Sequence, residues 1–162
     1  QKALGDKGIK VDITNAGVSG DTSFGGRDRL DWSVPEGTEA VIVELGANDA
    51  LRGIDPAVTR AALTEILTRL KARKIAVLLC GMLAPPNYGS EYAARFNAIY
   101  PELSKSFGVP LYPFFLEGVA AEARLNQADG IHPNQAGAAR VADTVWRVLD
   151  PIVRTLEAAT TE

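Results

Sequence analysis

The chain has 162 residues and a formal net charge of −3, with 46% hydrophobic and 23% charged residues. These values are ordinary for a single folded domain, and the lack of a basic excess argues against a nucleic-acid partner. No apolar run reaches the roughly 18 residues of a membrane span. One histidine and one cysteine disfavour a zinc site, and no cofactor is expected.

Four apolar segments are predicted as strands, in chain order Val11–Asn15, Ala40–Leu45, Lys74–Cys80 and Val109–Phe115. The second and third are nearly continuous in valine, isoleucine and leucine, which is typical of parallel strands covered on both faces.

Helical patterns alternate with these strands. They cover Gln1–Gly8 (the end of a helix), Pro56 to Lys71 (capped by Asp55), about Ser90 to Phe107, and Pro133 to about Ala158. Pro151 is expected to kink or split the last helix. The alternation predicts a three-layer α/β/α sandwich around a parallel sheet, whose ligand crevice lies beyond the carboxyl ends of the strands.

The only histidine lies in Asp129-Gly130-Ile131-His132, just ahead of the last predicted helix. A carboxylate three residues before the ring can hold Nδ1, which fixes the tautomer and leaves Nε2 as a base. These two residues match the part of a serine-hydrolase triad that consists of the base, which accepts the proton, and the carboxylate that orients the base. The alternative is that His132 only caps a helix that begins at Pro133.

Two residues in loops after strands are candidates for oxyanion donors. Asn48 can aim its side-chain NH₂ into the crevice, although an asparagine here could also be a simple turn residue. Gly20 can offer its backbone N–H, whereas Gly17 is interpreted as a loop glycine. Asp49 is interpreted as structural, with Arg52 as a candidate partner.

No serine stands out as a nucleophile. Ser19 lies in Gly17-Val18-Ser19-Gly20, which lacks the second spacer of a G-x-S-x-G elbow and has no helix opening directly behind the serine. The remaining serines have no supporting context.

The segment Met82–Gly89 is apolar, contains Pro85 and Pro86, and follows the third predicted strand. It is interpreted either as the lining of an acyl-chain pocket or as an ordinary loop between a strand and a helix.

Together these motifs resemble the SGNH, or GDSL, hydrolase family. Gly20 resembles the glycine block, Asn48 in Gly46-Ala47-Asn48-Asp49 resembles the G-x-N-D block, and Asp129 with His132 resembles the D-x-x-H block. The resemblance covers essentially the whole chain and is greatest for the bacterial acyl-CoA thioesterase I subgroup, whose members also act as lysophospholipases and arylesterases.

The resemblance implies a flavodoxin-like parallel sheet in one domain over residues 1–162, and serine-dependent hydrolysis of carboxylic esters or thioesters through an acyl-enzyme. It implies that His132 and Asp129 are catalytic and that Gly20 and Asn48 form the oxyanion hole. The implied substrate-binding residues are Met82, Leu83, Pro85, Asn87 and Ile131. A small acyl ester or thioester as partner, a monomeric state, and a periplasmic or secreted location are also implied.

The family's first block, which supplies the nucleophilic serine, is absent from the chain. The resemblance places the strand before that serine between Val11–Asn15 and Ala40–Leu45. Losing it would unpair buried backbone groups and remove core side chains. We therefore expect the domain to be N-terminally incomplete, with the missing segment either bound as a separate fragment or encoded upstream.

Two other functions stay open at this point. One is a catalytically inactive SGNH-like binding protein that has lost the nucleophile. The other is a flavodoxin-like nucleotide binder, although the chain shows no glycine loop that would cradle a phosphate.

Overall fold

The computed structural model describes the backbone of residues 11–160 and the side chains of residues 11–158, so the predicted helix end at Gln1–Gly8 lies outside the described residues. The described part holds a parallel sheet in the order β1 (Ala40–Glu44), β2 (Ala76–Cys80) and β3 (Leu111–Tyr112). Ala40 to Glu44 pair in register with Ala76 to Cys80, and Leu79 and Cys80 pair with Leu111 and Tyr112.

The helices are α1 (Ser23–Asp28), α2 (Leu30–Ser33), α3 (Ala47–Leu51), α4 (Pro56–Ala72), α5 (Gly89–Asn97), α6 (Ile99–Phe107) and α7 (Gln135–Thr160). Short 3₁₀ turns cover Pro86–Tyr88 and Ala123–Leu125. Helix α4 begins as predicted, because Asp55 Oδ1 accepts the N–H of Ala57 at 2.9 Å and Pro56 occupies the first position, where no N–H is needed. None of the helices within residues 11–160 is long and apolar enough to cross a membrane.

Helices pack against both faces of the sheet. Val43, Val77 and Leu79 belong to a buried cluster with residues of α4 and α6. Leu78, Cys80 and Tyr112 point to the opposite face, where they cluster with Val141 and Val145 of α7. The predicted three-layer α/β/α architecture is therefore confirmed.

The prediction that Val11–Asn15 forms a strand is wrong. The segment has no regular secondary structure, and residues 12–15 are exposed. A strand exists only beside a hydrogen-bonded neighbour, and none of the described residues pairs with this segment. β1 is likewise the edge of the described sheet, and Ile42 is 45% exposed, so the expectation that β1 is covered on both faces is also wrong.

Strand β3 is shorter than the fourth predicted segment. Only Leu111 and Tyr112 of the segment Val109–Phe115 form β3. Pro110 and Pro113 flank them, and a proline has no N–H to donate to a neighbouring strand.

Two prolines act differently from each other in the helices. The predicted helix over Ser90 to Phe107 is divided into α5 and α6 at Ala98. Pro101 explains the break, because it cannot donate to the carbonyl four residues earlier. Pro151, in contrast, does not split α7, since Val148 and Ile152 on either side of it both pack against the core.

Candidate active site

Asp129 and His132 form a preassembled pair in the loop before α7. Asp129 Oδ2 lies 2.8 Å from His132 Nδ1, and Asp129 Oδ1 accepts the backbone N–H groups of Ile131 and His132, both at 3.0 Å. Gly130 allows this tight turn with φ +75°. Nε2 makes no hydrogen bond with any residue between 11 and 158, and the His132 side chain is 62% exposed. The ring is thus held at one nitrogen and open at the other.

Helix α7 is capped by Asn134 rather than by His132. Asn134 Oδ1 accepts the N–H groups of Ala136 and Gly137 at 2.9 and 3.1 Å. The helix consequently begins at Gln135, two residues after the predicted start. The alternative that His132 serves as the cap is wrong, so its ring is free for another role.

The hydrogen bonds of the loop shift the acidity of its carboxylate. The backbone N–H of His132, its ring and the N–H of Ile131 together lower the pKa of Asp129 to about 2. Asp129 therefore remains ionised at neutral pH, where a carboxylate beside an imidazole can stabilise the imidazolium form.

Asn48 lies in the first turn of α3, directly beyond β1. The chain enters this helix through Gly46, whose φ is +110° and where a Cβ atom would lie 2.1 Å from the Tyr100 hydroxyl. That hydroxyl donates to the carbonyl of Leu45 at 2.9 Å, which leaves room only for glycine. Asn48 Nδ2 donates to the Asp21 carbonyl at 2.9 Å, so one of its two N–H bonds has no partner among the described residues.

Gly20 occupies an exposed turn beside Asn48. Its φ is +77°, and its carbonyl accepts from Arg52 Nη2 at 2.6 Å. Its N–H makes no hydrogen bond within residues 11–160. Asn48 bonds to Asp21, the residue that follows Gly20, so the structure brings the two predicted oxyanion donors together. Each has one N–H without a partner among the described residues.

The pair Asp129–His132 lies in the loop before α7, whereas Gly20 lies in the turn before α1 and Asn48 in the first turn of α3. No hydrogen bond between described residues joins the two pairs. Asn48 follows β1 directly. Val141, near the start of α7, belongs to the same buried cluster as Cys80 and Tyr112 at the ends of β2 and β3.

Asp49 is not paired with Arg52, contrary to the sequence-based interpretation. Its side chain is fully buried and accepts the N–H and Oγ of Ser23 at 2.8 and 2.5 Å and the Oγ1 of Thr59 at 3.0 Å. Ser23 and Thr59 were missed because they lie 26 and 10 residues from Asp49 along the chain. The available signal was Thr22-Ser23, a pair of small hydroxyl residues at a helix start, where Thr22 caps α1.

The serines of the described part are engaged elsewhere or exposed. Ser23 bonds to Asp49, Ser33 accepts from Arg29, and Ser104 and Ser106 donate to backbone carbonyls. Ser19 and Ser90 are exposed. No serine hydroxyl within residues 11–160 makes a hydrogen bond to His132.

The residues predicted to bind substrate differ in exposure. Met82 is 7% exposed and belongs to the main core, whereas Leu83 and Ile131 are 47% and 49% exposed. Pro85 is half-buried and Asn87 is exposed. The loop that carries Met82 to Asn87 is anchored where Ala84 N–H donates to Asn97 Oδ1 at 2.8 Å.

Comparisons with known proteins place these observations in a family. The chain matches the GDSL-like Lipase/Acylhydrolase family over residues 1–140. It is 42% identical over 154 residues to Esterase TesA of Pseudomonas aeruginosa, covering 94% of this chain and 77% of that one. It is 43% identical over 145 residues to Thioesterase 1/protease 1/lysophospholipase L1 of Escherichia coli K12, covering 89% and 70%. A crystal structure of TesA matches with a TM-score of 0.87 at 41% identity, over 93% of this chain and 84% of that one.

The ionisation of the Asp129 carboxyl group can be measured directly. We expect its carboxyl carbon to titrate by NMR with a midpoint near pH 2, because the loop hydrogen bonds favour the charged form. A folded-state pKa below the ordinary 3.8 means that this group stabilises the fold above about pH 4 and loses that contribution as the pH falls toward 2. In His132→Ala the midpoint should rise but stay below 3.8, since both backbone N–H bonds remain. A midpoint at the ordinary value in the unaltered protein would contradict the loop geometry.

Proposed function

The chain belongs to the GDSL-like lipase/acylhydrolase family, and on that premise we propose that it hydrolyses carboxylic esters or thioesters through a serine acyl-enzyme. The chain is a carboxylic ester hydrolase, the activity that the names of its relatives share. The observation that supports the serine mechanism is the Asp129–His132 pair, in which Nδ1 is held and Nε2 is open. We propose that its substrates are of the thioesterase, lysophospholipase or arylesterase type. We also propose that the protein acts as a monomer, in the periplasm or outside the cell, as the resemblance implies.

The proposed nucleophile is the serine of the family's first block, expected upstream of residue 1, and not one of the serines within residues 1–162. Its Oγ attacks the acyl carbonyl while His132 Nε2 takes its proton, and Asp129 stabilises the resulting imidazolium. The carbonyl π electrons move onto oxygen, and the Gly20 N–H and the free N–H of Asn48 donate to that oxyanion. Collapse of the intermediate expels the alcohol or thiol, which takes the proton from His132. Water then attacks the acyl-enzyme by the same route and releases the carboxylic acid and the serine.

We propose that the acyl chain contacts Leu83, Pro85, Asn87 and Ile131, with Met82 supporting it from the core. Leu83 and Ile131 offer the largest exposed apolar surfaces of this set, at 47% and 49% exposure. Ile131 directly precedes His132, so a chain lying against it would have its carbonyl close to the base.

Labelling with a fluorophosphonate probe tests the serine and the base together. We expect the intact protein expressed from its gene to be labelled, and peptide mapping to locate the label outside residues 11–160. His132→Ala should abolish labelling, because without the base the serine hydroxyl is a weak nucleophile at neutral pH. A label on Ser19 would refute the proposed nucleophile, and a well-folded intact protein that takes no label would favour the inactive binding protein.

The role of Asn48 is tested by steady-state kinetics on a p-nitrophenyl ester. Asn48→Ala should lower kcat about 10²–10³-fold and leave KM nearly unchanged, since the lost hydrogen bond strengthens only in the transition state. Asn48→Asp keeps the size of the side chain but replaces the donor with an oxygen, so it should be no more active than the alanine variant. A rise in KM at constant kcat would assign Asn48 to substrate binding instead.

The acyl contacts are tested with p-nitrophenyl esters of increasing chain length. Leu83→Ala and Ile131→Ala should reduce kcat/KM more for long acyl chains than for acetate. A longer chain buries more CH₂ groups against these side chains, and each buried CH₂ contributes roughly 0.8 kcal/mol. Val58→Ala, at a similarly exposed position on α4, is the matched control and should change no ester selectively. An equal loss for all chain lengths would place the acyl chain elsewhere.

A further inference from the structure

We propose that Asp49 is a positioning residue for the hydrolytic reaction. Its buried carboxylate holds the turn that carries Gly20 against the helix that carries Asn48, and thereby fixes the separation of the two N–H donors. This inference rests on the proposed function, because it takes Gly20 and Asn48 as the donors to the oxyanion.

The environment of Asp49 is unusual for a residue that only stabilises a fold. The side chain is 0% exposed, and no lysine or arginine pairs with it in the described part of the chain. Its partners are the N–H and hydroxyl of Ser23 and the hydroxyl of Thr59. A buried carboxylate costs free energy that an apolar side chain of similar size would not, so its presence here points to a specific geometric task.

The hydrogen bonds of Asp49 close a ring that contains the Asn48 amide. Ser23 bonds to Asp49, and Asp49 is bonded covalently to Asn48. Asn48 Nδ2 in turn donates to the carbonyl of Asp21, two residues before Ser23. Any movement of Ser23 away from Asp49 therefore shifts the carbonyl that orients the Asn48 amide.

The same ring also fixes Gly20, which directly precedes Asp21. Arg29 restrains the turn from outside, with Nε 2.7 Å from Asp21 Oδ2 and Nη1 2.7 Å from the Ala16 carbonyl. Arg52 provides a second link between α3 and the turn through the Gly20 carbonyl, but Arg52 is exposed, and an exposed long side chain is a weak restraint. The bond between Asp49 and Ser23 is the buried link, and so it limits how far the two donors can separate.

A double-mutant cycle in the intact protein tests this role. We expect Asp49→Asn, which turns one accepting oxygen into a donor, to lower kcat about 10–100-fold with KM changed less than about twofold, the size of effect that a small misplacement of catalytic groups produces. In the Asn48→Ala background the same change should lower kcat less than about threefold, because Asp49 acts through a donor that is already gone.

Thr59→Val is the matched control. It removes the third bond to Asp49 from α4 while leaving both bonds to Ser23, so the melting temperature should fall and kcat should stay within about twofold of the original. If Asp49→Asn does not fold, Ser23→Ala breaks the side-chain half of the same contact and should show the same dependence on Asn48.

The outcomes separate the two proposals. A loss of kcat for Asp49→Asn that is equal with and without Asn48 would overturn the positioning role while leaving the oxyanion assignment intact. A loss of kcat for Thr59→Val in proportion to its loss of stability would also overturn it. No effect of Asn48→Ala alone would refute the proposed oxyanion hole, and the role of Asp49 with it.

Discussion

The candidate site depends on one hydrogen bond between segments 27 residues apart, from Asn48 Nδ2 to the Asp21 carbonyl. A side-chain amide has two N–H bonds, and using one on the backbone orients the other. The bond can form only because β1 turns into α3 within two residues, and that turn needs glycine at position 46 beneath the Tyr100 hydroxyl. The orientation of one amide therefore depends on the packing of α6 against the end of β1.

Burial at the carboxyl edge of the sheet also decides which groups are unreactive. Cys80, at the end of β2, is 1% exposed, and burial together with the nearby Glu44 raises the pKa of its thiol to about 12. Burial also raises the pKa of the Glu44 carboxyl. Because the thiolate is the nucleophilic form of cysteine, Cys80 does not compete for that role at neutral pH. The candidate reactive groups are instead His132, in the exposed loop before α7, and Asn48, half-buried in the first turn of α3.

Local patterns were sufficient for part of the structure. The apolar run of β2, the Asp55-Pro56 start of α4 and the spacing of Asp129 and His132 each involve residues close in sequence, and each was predicted correctly. The failures concern partners distant in the chain. Val11–Asn15 has a strand-like composition, but strand formation depends on a neighbour. The Ser23–Asp49 bond spans 26 residues and has no periodicity that a sequence could reveal.

The two halves of the site consequently differ in how they are maintained. The Asp129–His132 turn is held by bonds within four residues, so it needs little from the rest of the fold. The Gly20–Asn48 half exists only when α1 and α3 are packed, because the buried bonds between Ser23 and Asp49 join those two helices. Local opening of that packing would separate the donors while leaving the base and its carboxylate in place. In the proposed mechanism, stabilisation of the oxyanion is therefore more sensitive to the integrity of the core than proton transfer is.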